Sequence, residues 1–174
     1  MRFIFELGDI QEGGLNFSWM GSGEKLTREG DSLFFRESLR LRLHLEKNKE
    51  QVLVEGELST VLDLTCSRCL INYPFAVKEE IFALFISQEK ALSLSEEKEL
   101  GAEEFNINYY SGDSLELTEV LRDQLLLCIP MTHRCKEECL GLCPSCGQNW
   151  NQGSCDCPRG DKTSPFETLK KLKL

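Results

Sequence analysis

Histidine is nearly missing from this chain. Two occur in 174 residues, so catalysis by histidine acid-base chemistry has little material to draw on. The sequence contains no His-Glu-x-x-His, Walker loop, Gly-x-Ser-x-Gly or deaminase pattern, which removes the usual outlines of a zinc protease, a P-loop NTPase, a serine hydrolase and a base deaminase. No uninterrupted apolar run approaches the ~18 residues of a membrane span. The opening MRFIFELGDIQEGG is broken by Glu6 and Asp9 and is too short and too acidic for a secretory leader, so the expected compartment is the cytoplasm. No internal repeat is present. Carboxylates are plentiful, but none has a recognisable metal-binding spacing.

What is present describes a folded protein. Hydrophobic residues at 41% and charged residues at 28% are ordinary for a globular chain, and the length suffices for one core with an appendage. The net charge of −9 argues against a surface that is wholly an RNA-binding field, because phosphate binding needs clustered cations. The acidity sits mostly in the middle: residues 88–123 hold ten acids against three bases, whereas 124–174 hold seven bases against five acids.

Leu39, Leu41, Leu43 and Leu45 alternate with Arg40, Arg42, His44 and Glu46, and a period of two marks a strand with one buried face. After KNKE, Val52, Val54, Leu58, Leu62 and Leu64 resume the spacing, so the two runs read as a long antiparallel hairpin, with Gly56 as a bulge or bend. Phe75, Val77, Ile81, Ala83 and Phe85 predict a third strand beside the run that ends at Cys66. RFIFEL and FNINYY are further strand candidates. The acidic stretch near 88–104 reads as a loop or frayed helix. Leu117, Val120, Leu121, Gln124, Leu125 and Cys128 at three-and-four spacing predict a helix capped by Asp113 or Ser114 and stopped by Pro130. SPFETLKKLKL predicts a short terminal helix capped by Ser164, with Pro165 at its first position.

The chain's nine cysteines are its most concentrated chemistry. In a reducing compartment clustered cysteines are metal ligands or redox thiols more often than disulfides, and an odd count cannot be fully paired. A tetrahedral zinc site needs four soft donors, and Cys-x-x-Cys supplies two from one tight turn. Cys143, Cys146, Cys155 and Cys157 form the most compact set, with Gly147 providing a permissive backbone. A second set would join Cys66 and Cys69 to Cys135 and Cys139, fastening the C-terminal segment to the hairpin; the alternative is that Cys66 and Cys69 pack a strand end as small apolar residues. Cys128 lies on the helix's apolar stripe and reads as core. His133 is a spare donor beside a surplus of thiolates, and His44 falls on the polar side of its strand. Arg40 and Arg42, with Arg36 and His44, form a candidate face for phosphate or carboxylate. The plainer alternative is a solvated face whose arginines pair across strands with Glu55 and Glu57.

LTCSRCL followed by PF, then LRDQLLLCIPM, CKEECLGLCPSCGQNWN and CDC, in order from about Val52 to Cys157, resembles the YceD-like family, the large ribosomal RNA subunit accumulation proteins. The resemblance implies a bacterial or plastid factor needed for normal accumulation of large-subunit ribosomal RNA. The family's Cys-x-Arg-Cys falls on Cys66, Arg68 and Cys69, and its C-terminal cysteine block on Cys135, Cys139, Cys143, Cys146, Cys155 and Cys157.

The expectation is an α+β protein, mainly antiparallel sheet with one packed helix, an acidic loop and a Cys-rich, zinc-bound C-terminal segment. Residues 1–130 would form the sheet-based core and 131–174 the Cys-rich segment with its terminal helix. The expected function is a noncatalytic, cytoplasmic factor in large-subunit biogenesis that binds large-subunit ribosomal RNA or a basic large-subunit ribosomal protein and no membrane. The alternative is a thiol-based redox or metal-responsive protein.

Overall fold

The structure, a computed structural model, describes residues 2–28, 30–31, 33–49, 51–89 and 107–157. Most of the acidic 88–104 stretch and the whole expected terminal helix lie outside these residues. In chain order the strands are β1 (Ile4–Glu6), β2 (Leu15–Gly21), β3 (Phe34–Phe35), β4 (Leu39–Asn48), β5 (Gln51–Thr65), β6 (Asn72–Ser87), β7 (Ile107–Tyr110) and β8 (Ser114–Glu116), and the α-helix α1 (Thr118–Leu127) follows β8; short 3-10 helices occupy Leu7–Asp9 and Gly23–Leu26. The architecture is α+β and mainly antiparallel, as expected.

A six-stranded sheet runs β2-β4-β5-β6-β7, with β3 also on β5. The leucine alternation sets its core: Leu39, Leu41, Leu43 and Leu45 are buried, and Arg40 and Arg42 between them are exposed. Burying each such leucine contributes roughly 1.5–3 kcal/mol. Strands β5 and β6 pair from Gln51↔Ile86 to Thr65↔Asn72, so their turn projects Cys66–Ile71 from the end of the sheet. Among the described residues the β6–β7 pair is the one parallel contact in this sheet, from Leu84↔Ile107 to Ser87↔Tyr110.

Gly56 is not a bulge. It faces Leu43 in an unbroken register, and a Cβ there would lie 2.1 Å from the Arg42 carbonyl oxygen. Its lack of a side chain serves close backbone approach instead.

The expected helix exists, but it starts later than its predicted cap. Ser114–Glu116 pair with β1, which claims the backbone groups a longer helix would need, and Leu117 occupies the N-cap position. The Thr118 hydroxyl accepts from the Phe3 backbone N–H at 2.9 Å and ties the helix start to β1. Leu117, Leu121 and Leu125 then bury against the sheet. The helix ends at Leu127, just ahead of Pro130. The β1–β8 ribbon covers β2 through edge-to-face rings, Phe3 on Trp19 with centroids 5.1 Å apart and Phe5 on Phe17 at 5.0 Å.

Candidate metal centres and the arginine face

Strand β5 runs directly into the first cysteine turn. Cys66 N donates to Ile71 O at 2.9 Å and Leu70 N to Cys66 O at 3.0 Å, which folds residues 66–71 into a tight loop with Leu70 at a φ of +58°. Cys66 and Cys69 therefore point together, and Arg68 N donates to Cys66 Sγ at 3.4 Å. The chain returns after α1 to dock on this loop. Ser67 donates through its N and its Oγ to His133 O, both at 2.9 Å, and Arg68 Nη1 donates to Cys139 O at 2.9 Å. Gly141, at a φ of +78°, lets the returning backbone pass close to the Arg68 carbonyl.

This docking brings Cys66, Cys69, Cys135 and Cys139 into one cluster whose four Sγ atoms lie within 4.8 Å of one another. Cys66 Sγ is 3.8 Å from Cys139 Sγ, and Cys69 Sγ is 3.6 Å from Cys135 Sγ. Four sulfurs at about 2.3 Å from a central ion form a tetrahedron with edges of about 3.8 Å. A disulfide would need about 2.05 Å. The spacing suits a metal ion and not a disulfide, and three of the four cysteines are buried.

Cys143, Cys146, Cys155 and Cys157 form a second cluster of the same compactness, with only Cys143 buried. Cys143 N donates to Gln148 O at 2.8 Å and Gly147 N to Cys143 O at 2.9 Å; Gly147 adopts the φ of +77° that this turn requires. Either set could hold a metal ion.

The electrostatics explain why such sets favour a cation. Burial opposes ionisation of Cys66, yet backbone N–H groups at Cys69, Cys135 and Arg68 outweigh it and pull its pKa down to about 6. Burial and the neighbouring thiols push Cys135 up to about 12. In the second set, backbone N–H groups at Cys146 and Ser145 bring Cys143 down to about 6, while Cys146 and burial drive Cys157 up to about 12. One thiolate in each set thus raises the cost of the next. A divalent ion held by either set would offset that repulsion and favour the thiolate form of the remaining cysteines.

The other candidates lie elsewhere. His133 belongs to neither set, its ring Nδ1 sitting 3.2 Å from Pro130 O. Cys128 packs on the core edge, donates its Sγ hydrogen to Gln124 O, and is pushed up to about 11 by burial and the nearby Glu79. His44 is half-buried, with Nδ1 3.0 Å from Asn16 Oδ1. Arg40 and Arg42 project from β4 opposite Ser59 and Glu57. Among the described residues the alternative, pairing of these arginines with Glu55 and Glu57, is not found: Glu57 pairs with Lys78 at 3.1 Å, and Arg36 pairs with Asp63 at 2.9 Å. Sequence reasoning gave no role to Ser67, Asn149 or Asn151, polar residues that brace the clusters; their signal was position, beside or between paired cysteines.

Among the described residues no helix is long and apolar enough to cross a membrane. No solved structure matches the chain. Among curated proteins it is similar to the chloroplastic YCED homolog 1 of Arabidopsis thaliana, named a large ribosomal RNA subunit accumulation protein, at 24% identity over 73% of this chain and 46% of that one. An uncharacterized protein of Mycobacterium tuberculosis is 30% identical over 63% of this chain and 50% of its own length. The chain thus spans about half the length of these relatives. YlbN of Bacillus subtilis is 21% identical over 97% of this chain and 94% of its own. Residues 54–173, which hold both cysteine clusters, match the family described as large ribosomal RNA subunit accumulation protein YceD, and the chain belongs to that family.

Proposed function

We propose that this protein is a noncatalytic factor supporting the accumulation of large-subunit ribosomal RNA, and that it acts by binding that RNA or a basic large-subunit ribosomal protein while zinc holds its two cysteine clusters. The observation that carries the reading is the family match over residues 54–173. Zinc suits the donor sets because four thiolates complete a tetrahedral shell around a borderline-soft, redox-inert ion. A shell closed by four protein ligands leaves no position for a reacting water, which favours a structural role over a catalytic one. Arg40 and Arg42 are the side chains best placed for phosphate, being exposed on one strand face and, among the described residues, without a carboxylate partner.

Crosslinking in cells tests the reading. Large-subunit ribosomal RNA or a large-subunit ribosomal protein should be enriched among the neighbours, and depletion of the protein should lower the amount of large-subunit RNA. Neighbours unrelated to the large subunit, with unchanged RNA on depletion, would remove it in favour of a metal-responsive role.

A further inference from the structure

One side chain joins the two cysteine clusters. Asn151 lies in the stretch between Cys146 and Cys155 of the second set, yet its Nδ2 donates to Cys139 Sγ of the first at 3.4 Å. Its Oδ1 accepts from Leu140 N at 3.1 Å, so the amide grips both the ligand and the residue that follows it. Asn149 Oδ1 braces it from behind, accepting from Asn151 N at 2.9 Å and from Nδ2 at 2.8 Å. The same stretch is fixed to the second set's first turn by Cys143 N donating to Gln148 O, by Trp150 N donating to Gly141 O at 3.0 Å, and by the bridge between Leu142 and Asn149.

We propose that Asn151 couples the two metal sites, so that an ion at either set raises the affinity of the other. An ion held by Cys143, Cys146, Cys155 and Cys157 closes the loop that carries Asn151 and leaves its amide already placed on Cys139. That N–H···S bond, with the grip on Leu140 N, holds the Cys139 sulfur in place as a ligand. Without the second ion the loop must lose conformational freedom each time the amide docks, which opposes metal binding at the first set. Linkage makes the effect reciprocal: an ion on Cys139 anchors Asn151 and so orders the loop between Cys146 and Cys155. Asn151 is a positioning residue in this scheme. It reaches the ion only through a ligand sulfur.

The inference rests on the metal reading above, and the experiment separates the two. Cobalt(II) is titrated into the reduced full chain, its sulfur-to-cobalt charge-transfer band reporting thiolate ligation. The Cys66→Ser/Cys69→Ser variant supplies the second set's spectrum alone. The unchanged chain should bind two ions. Cys143→Ser/Cys146→Ser should bind one, with first-set affinity reduced about 10- to 100-fold, the usual effect of losing a group that supports a ligand. Asn151→Asp keeps the acceptor for Leu140 N but loses the N–H donor; it should bind two ions, weaken the first set by a similar factor and shift its charge-transfer band. Asn151→Gln should restore part of the loss, and combining Asn151→Asp with the Cys143/Cys146 change should add little to either. First-set affinity that is the same with and without Cys143 and Cys146, or a band and affinity indifferent to Asn151→Asp, would overturn the coupling while leaving both sites standing. An unchanged chain that binds no cobalt would overturn the metal reading and the coupling together.

Discussion

Cys66 and Cys139 are separated by 73 residues of chain and by 3.8 Å between their Sγ atoms. The first cluster therefore closes a loop that contains β6, β7, β8 and α1, whereas the second closes only the short span from Cys143 to Cys157. The entropy removed by a crosslink grows with the loop it closes.

That difference predicts unequal losses. Replacing Cys66 and Cys69 with serine should remove one zinc equivalent and lower stability by roughly 3–5 kcal/mol, the range for a crosslink closing a loop of this size. Replacing Cys143 and Cys146, in excess zinc so that the first set stays filled, should remove the other equivalent and expose the segment around it to protease. The sheet should then melt nearly as before. Metal analysis alongside thermal unfolding reads both results, and equal shifts in melting would contradict the long-range role of the first cluster.

Arg40 and Arg42 are expected to matter for binding rather than for folding. Neither has an ion pair among the described residues, so changing both to glutamate should alter the melting temperature little. If they contact phosphate, association with large-subunit precursors should weaken and its salt dependence should flatten. Co-sedimentation across a salt series gives the answer. Unchanged association would direct attention to the acidic residues from Glu96 to Glu104 as a site for a basic ribosomal protein.

Gly56 should not tolerate even alanine. A methyl group 2.1 Å from the Arg42 carbonyl oxygen must push β4 and β5 apart where both are fully paired. The expected loss is about 1–3 kcal/mol, the usual range for overpacking. Denaturant unfolding of Gly56→Ala measures it, and a neutral result would mean that the hairpin twists away at little cost.

Asp31 gives a pH signature. It accepts from Arg28 N at 2.7 Å and faces Arg122 Nη2 at 2.8 and 2.9 Å, with the Arg122 side chain only 12% exposed. The Arg28 N–H, and after it the Arg122 guanidinium, hold the carboxyl below its ordinary value of 3.8. A carboxyl depressed by folding contributes stability that is present above the unfolded value and lost as pH falls through the folded one. Asp31→Asn should therefore melt below the parent at pH 7, and the gap should narrow as the pH is lowered beneath 3.8. A gap constant down to acid would assign the loss to packing instead.

The sequence was most readable where one physical signal dominated. The leucine alternation of Leu39–Leu45 and the resumed spacing from Val52 predicted the long hairpin because burial on one face leaves a period of two. The grouping of eight cysteines into two sets was legible because paired cysteines in short turns bring their thiols together. Other features depended on partners far along the chain. Strand β2 carries Leu15, Phe17 and Trp19, half-buried under a ribbon made from both β1 and β8, and no local pattern specifies that cover. Ser114 looked like a helix cap until β1 took its backbone. Asn151 has no visible role in the sequence and becomes a brace on Cys139 only once the segment has folded back.

Protein synthesis proceeds from the N-terminus, so the hairpin that carries Cys66 and Cys69 is complete before Cys135 and Cys139 have been made. For that interval the nascent chain carries only two of the first cluster's four thiols. An ion caught there early would have two vacant positions open to any thiol nearby. The backbone carbonyl of His133, which receives both Ser67 donors, arrives just ahead of Cys135 and aligns the returning segment with the tip. The order of translation thereby makes closure of the first cluster a late event, which cannot precede the synthesis of β6, β7, β8 and α1 between its two pairs of thiols.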